Sequence, residues 1–130
     1  MRPVFQSKLY AADAPMRGNC QNACWASLLE VPLWMVPAFE DMRGDLQEER
    51  RNEWIQRFFG LDVVRTHGHD LALLPEFYIA CGPSPRGQAD RIYHSVIYSR
   101  GALAHDPHPS GDGILLVEWT WHLVPVERTR

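Results

Sequence analysis

Three residue types that together run acyl-transfer chemistry occur in this 130-residue chain in a telling order. Cys20 lies in the run Gly18-Asn19-Cys20-Gln21-Asn22-Ala23-Cys24-Trp25, and His94 and Asp106 follow far downstream. The Gly-Asn turn before the thiol and the small apolar residues after it predict that Cys20 opens a helix. Unsatisfied N–H groups and the positive end of the dipole at a helix start lower a thiol's pKa, and the thiolate is the reactive species. A thiol nucleophile needs a base, and the base needs an acceptor that fixes its tautomer and stabilises the imidazolium. His94 and Asp106 are the candidates for those two roles. Cys24 is the rival nucleophile, but one turn inside the helix it reads as core, and Cys81 falls on a strand without a motif.

The oxyanion of such a reaction is expected on the Cys20 backbone N–H and one side-chain amide. Gln6, the only glutamine upstream of Cys20, is the expected partner, with Asn19 as a competitor that can instead shape the turn. Cys20, Cys24, His105 and His108 have zinc-ligand chemistry, yet one Cys-x3-Cys on a helix plus one His-x2-His is a weak pattern. No metal and no organic cofactor is expected.

The elements that must position these residues follow from periodicity and turn chemistry. Val4 to Leu9 suggests a short strand, and the loop through Ala14-Pro15-Met16-Arg17-Gly18 feeds the thiol. A buried helix is expected from Cys20 to about Glu30, ended by Pro32 and Pro37. A second runs from Asp45 to Phe59, with Asp45 and Glu48 in a capping-box pattern, an apolar stripe of Trp54, Ile55, Phe58 and Phe59, and a solvated face from Glu48 to Arg51. Trp34 and Phe39 read as packing residues. Leu61 to Arg65, Phe77 to Cys81, Ile92 to Tyr98, Ala102 to His105 and Ile114 to Val124 read as strands, with one helical turn before Pro75, a loop at Thr66 to Asp70 and a surface loop at Gly82 to Gly87. Helices first and antiparallel sheet second give an α+β architecture in one domain spanning residues 1–130.

Ser99-Arg100-Gly101 ties the base to its acid. A three-residue hairpin loop with glycine in the left-handed position pairs Tyr98 with Ala102, Val96 with Ala104 and His94 with Asp106, all on one side of the sheet. A two-residue turn at Arg100-Gly101 would shift the register by one and oppose His94 to Pro107.

Composition narrows the remaining classes. The net charge of −3 and the lack of a basic groove beside Trp119 and Trp121 argue against nucleic acid. Three cysteines, two of them one helical turn apart, do not form a secreted disulfide framework, and no signal peptide or membrane span is visible. A cytoplasmic protein without a membrane role is expected.

With these residues in place, the chain resembles the papain-like cysteine peptidase superfamily, and most closely the small leader-peptidase domains of bacteriocin-exporting transporters. Asn19-Cys20-Gln21-Asn22-Ala23 is similar to their Asp-Cys-Gly-x-Ala segment, and His94-Ser95-Val96-Ile97-Tyr98 followed by Asp106-Pro107 is similar to their histidine strand and Asp-Pro. Gly18-Asn19-Cys20 also looks like the nucleophile segment of ovarian-tumour-type deubiquitinases. Short stand-alone proteins ending in a His-Asp-Pro-His-Pro-Ser segment resemble uncharacterised phage and bacterial proteins. The resemblance implies a papain-like fold, Cys20 as nucleophile, His94 as base, Asp106 as orienting acid, and a peptide or protein substrate. Asn19 stands in place of their aspartate, Gln21 in place of their glycine, and Ala14 where their oxyanion glutamine would be. Substrate specificity therefore transfers less readily than chemistry. Amide transfer or deamidation by the same triad, and a catalytically silent binding module, are the alternatives.

Overall fold

The computed structural model describes residues 1–9, 18–86 and 92–127. Helix α1 spans Cys20–Leu29 and α2 spans Gly44–Phe59, separated by 3-10 turns at Leu33–Met35 and Phe39–Asp41. The strands are β1 (Leu61–His67), β2 (Phe77–Pro83), β3 (Tyr93–Ser99), β4 (Ala102–His105) and β5 (Trp119–Pro125), with a 3-10 turn at Leu71–Leu73. They form one antiparallel sheet in the order β1-β5-β2-β3-β4, so the last strand in sequence lies between the first two. The fold is α+β.

Helix α1 is short but nearly surrounded. Ala23, Cys24, Trp25, Ala26 and Ser27 are all buried, which explains why its sequence carries small residues rather than an amphipathic stripe. It ends at Glu30 in the left-handed conformation, whose N–H returns to the Ala26 carbonyl, and Pro32 follows. Cys24 and Trp25 pack with Ile55 of α2 against Ile79, Cys81, Ile97 and Trp121 of the sheet. Alternation sends Tyr78, Ala80 and Val96 to the other face, under Leu74, Ile114 and Val117. Burying a side chain such as Ile79 contributes roughly 1.5–3 kcal/mol.

Several expectations are corrected. Val4 to Leu9 is not a strand; the segment is held by single bonds to two parts of the molecule. Arg2 N and Val4 N donate to the carbonyl and hydroxyl of Ser27, Gln6 N donates to the Pro107 carbonyl, and His105 Nε2 bonds the Val4 carbonyl. The capping box does not form, because α2 begins one residue earlier, at Gly44, with Arg43 in the N-cap position, and Asp45 Oδ1 accepts from Leu46 N. Arg51, expected on the solvated face, is only 1% exposed. It lies four residues before Ile55, one turn away on the core side. Trp34 and Phe58 point outward, at 82% and 64% exposure, whereas Phe39 packs inside.

Ile114 to Glu118 stays out of β5. This segment crosses the end of β2, with Leu115 N bonded to the Pro83 carbonyl and Glu118 N to the Cys81 carbonyl. A Cβ at Gly82 would come 1.8 Å from the Leu116 carbonyl oxygen, so only glycine permits the approach. Among the described residues no helix is long and apolar enough to cross a membrane.

Candidate active site

The β3–β4 hairpin turns in two residues, not three. Arg100 and Gly101 have φ of 52° and 85°, and Ser99 opposes Ala102 while Tyr98 opposes Leu103. Positive φ at both central positions is the primed turn that matches strand twist. Such a register by itself would put Asp106 on the wrong face of the sheet for His94. A bulge corrects it. The pairing shifts between Ile97 and Tyr98, Ile97 opposes His105, and Ala104 is the extra residue. One step further on, Asp106 returns to the side that carries Val96 and His94.

The acid and the base then meet directly. His94 Nε2 donates to Asp106 Oδ1 at 2.7 Å, with both residues buried. Asp106 Oδ1 also accepts from His108 N, and Oδ2 from Gly113 N, so both oxygens are fixed. Burial would raise the Asp106 carboxyl, but the His94 hydrogen bond and the two backbone donors outweigh it and hold its pKa below the ordinary value. Burial likewise works against the His94 imidazolium. The bonds to Asp106 and to the Cys20 side chain more than offset it and push His94 up to about 9. Nε2 is taken by Asp106, which leaves Nδ1 as the ring atom toward Cys20.

Cys20 is the first residue of α1 and is partly exposed. The first intrahelical bond is from Ala23 N to the Asn19 carbonyl, and no side chain caps the helix. Among the described residues the N–H groups of Cys20, Gln21 and Asn22 meet no acceptor. The thiol opens on a cleft of about 210 Å3 lined by Asn19, Gln21 and Glu40 on one side and Tyr93, His94 and Trp119 on the other. Larger hollows, of about 350 and 480 Å3, lie beside Tyr78 and on α2 and contain no nucleophile. The other cysteines are unsuited to attack. Burial raises Cys24 well above its ordinary value and pushes Cys81, which is bonded to Ser95 Oγ, up to about 12.

Gln6 lies near this site without lining the cleft. Its Nε2 donates to the Lys8 carbonyl, and its buried Oε1 has no hydrogen-bond partner among the described residues. Asn19 fixes the entrance to α1, accepting from Ser7 N and Lys8 N at Oδ1 and donating from Nδ2 to Ser7 Oγ. Ala14 lies outside the described residues. Glu40, which sequence reasoning passed over, borders the cleft and accepts from Lys8 Nζ at 2.9 Å and Asn22 Nδ2 at 2.7 Å.

The four residues weighed as zinc ligands are not gathered: Cys24 is in the core, His105 bonds the Val4 carbonyl, and His108 Nδ1 bonds Ser110. Among the described residues no group of three His, Cys, Asp or Glu has metal-binding geometry. Gly82 and Pro83 belong to β2 rather than to a loop, and Ser84 is buried off the cleft. Gly87 lies outside the described residues. Comparison with protein-family models, with curated proteins and with solved structures finds no match to this chain.

Proposed function

We propose that this protein is a papain-like cysteine hydrolase that cleaves a peptide or isopeptide bond. The observation that carries the reading is the His94–Asp106 hydrogen bond of 2.7 Å, made by a histidine whose other ring nitrogen is left to Cys20 at a helix start. A buried imidazolium held by a carboxylate is suited to balance a thiolate and to deliver a proton.

In this mechanism Cys20 Sγ attacks the carbonyl carbon, and the C=O π pair moves onto oxygen. Collapse breaks the C–N bond while His94 gives the Nδ1 proton to the departing amine. Neutral His94 then takes a proton from water as that water attacks the thioester, and collapse breaks the C–S bond, releasing the acid and restoring the Cys20 thiolate beside the His94 imidazolium. Asp106 stays ionised throughout and holds the ring. An open cleft beside Cys20 suits an extended peptide or a protein tail as substrate.

Incubation with a mixed peptide library, read by mass spectrometry, tests the proposal. Wild type is expected to generate new termini that Cys20→Ala does not. Side-chain conversion of Gln or Asn, a gain of about 1 Da without chain cleavage, would assign the triad to deamidation. An unchanged library would count against the hydrolase.

A further inference from the structure

Four side-chain amides border the cleft: Asn19, Gln21, Asn22 and Gln47. Three have their nitrogen anchored. Asn19 Nδ2 donates to Ser7 Oγ, Asn22 Nδ2 to the Pro37 carbonyl and Glu40, and Gln47 Nε2 to the Phe39 carbonyl. Gln21 is bonded from the opposite end, its Oε1 accepting from Arg51 Nη1 at 3.0 Å. A guanidinium only donates, so this bond fixes which way round the carboxamide sits. The oxygen is turned to Arg51, and the NH2 group is the free end; among the described residues it meets no acceptor.

Arg51 is an unusual residue to fix an amide. It is 1% exposed, and among the described residues no carboxylate pairs with it. Its guanidinium lies 5.1 Å from the Trp25 ring centre and 4.3 Å from that of Trp121, and its remaining bonds go to the adjacent Asn52. A buried charge without a counter-ion costs stability. Packing between two rigid indoles leaves the guanidinium little freedom, and among the described residues its only hydrogen-bond partner beyond its own helix is Gln21.

We infer that Gln21 Nε2, oriented by Arg51, is the side-chain donor to the oxyanion, working beside the Cys20 backbone N–H. Gln21 is the catalytic group and Arg51 a positioning residue. The assignment replaces Gln6, whose amide nitrogen is committed to the Lys8 carbonyl. It rests on the reading of Cys20 as nucleophile. As Sγ forms its bond to carbon and the π pair moves to oxygen, the negative charge appears where a fixed N–H donor stabilises it without reorganisation.

Two probes of Cys20 separate this role from the nucleophile itself. Iodoacetamide is displaced at carbon by the thiolate, with iodide leaving and no oxyanion formed. p-Nitrophenyl acetate acylates the same sulfur through a tetrahedral oxyanion and expels p-nitrophenolate. The ratio of acylation to alkylation rates cancels any effect on the thiolate. Gln21→Met is expected to lower that ratio by about 10²–10³-fold. Gln21→Glu keeps an acceptor for Arg51 but removes the donor, and it is expected to lower the ratio at least as far. If Cys20 in the wild type is not selectively alkylated, the hydrolase reading itself fails. If it is, and either variant keeps the wild-type ratio, the oxyanion role of Gln21 is overturned while Cys20 stands.

Discussion

The chemistry of the site is set by which polar groups are buried together. His94 in the unfolded chain titrates near the ordinary 6.5, and in the folded protein near 9. The stability it contributes is therefore complete below pH 6.5 and is lost as pH rises toward 9. Asp106 runs the other way: its pKa is lowered from 3.8, so its contribution is present above that value and is lost as pH falls. The pair stabilises the fold most between those two limits, from about pH 4 to about 6.5. Asp106→Asn is expected to cost roughly 1.5–3 kcal/mol within that window and much less at pH 9, measured by urea unfolding. The same variant, with the tautomer no longer fixed, is expected to slow acylation of Cys20 by about 10²–10⁴-fold. A stability loss that does not change with pH would contradict this description of the pair.

At the scale of elements, the hairpin shows where sequence reasoning reaches and where it stops. The strands on either side of Arg100-Gly101 and the partnership of His94 with Asp106 are legible from alternation and turn residues. The route by which they meet is not. A two-residue turn and a bulge at Ala104 shift the register twice and leave Asp106 on the expected side. A bulge has no periodic signature of its own, so only the net parity of the strands could be read. Arg51 looks solvated in the sequence because it sits on an otherwise polar run, although its position one turn before Ile55 puts it on the core-facing side. Two substitutions test these elements. Arg100 is held at positive φ, and Arg100→Asn is expected to raise stability by about 0.5–1 kcal/mol, read from the melting temperature. Gly82→Ala forces the Leu116 carbonyl away and is expected to destabilise the protein by roughly 1–3 kcal/mol. Wild-type stability of Gly82→Ala would show that the 114–118 segment is not held against β2.

For the whole molecule, the α+β order was legible because helical and alternating patterns occupy separate halves of the chain. What could not be read was how the halves are joined. The N-terminal residues lack periodicity, yet they bond to Ser27 and Asn19 on the helix side and to His105 and Pro107 on the sheet side. The nucleophile and the acid are thus tied to one strap. Deletion of residues 1–7 is expected to reduce Cys20 acylation by at least about 10-fold, as for a misplaced catalytic group, beyond any loss of folded fraction measured by circular dichroism. Full activity after deletion would show that the sheet and α1 align without the strap. The central claim, that Cys20 is a nucleophile activated by His94, is tested most directly by alkylation of each cysteine as a function of pH, resolved by peptide mapping. Cys20 is expected to react at neutral pH at least about 10-fold faster than a free thiol of pKa 8.5, with Cys24 and Cys81 inert, and to lose that advantage in His94→Ala. If Cys20 reacts no faster than a free thiol, or equally fast without His94, the account of this site as a catalytic one is wrong.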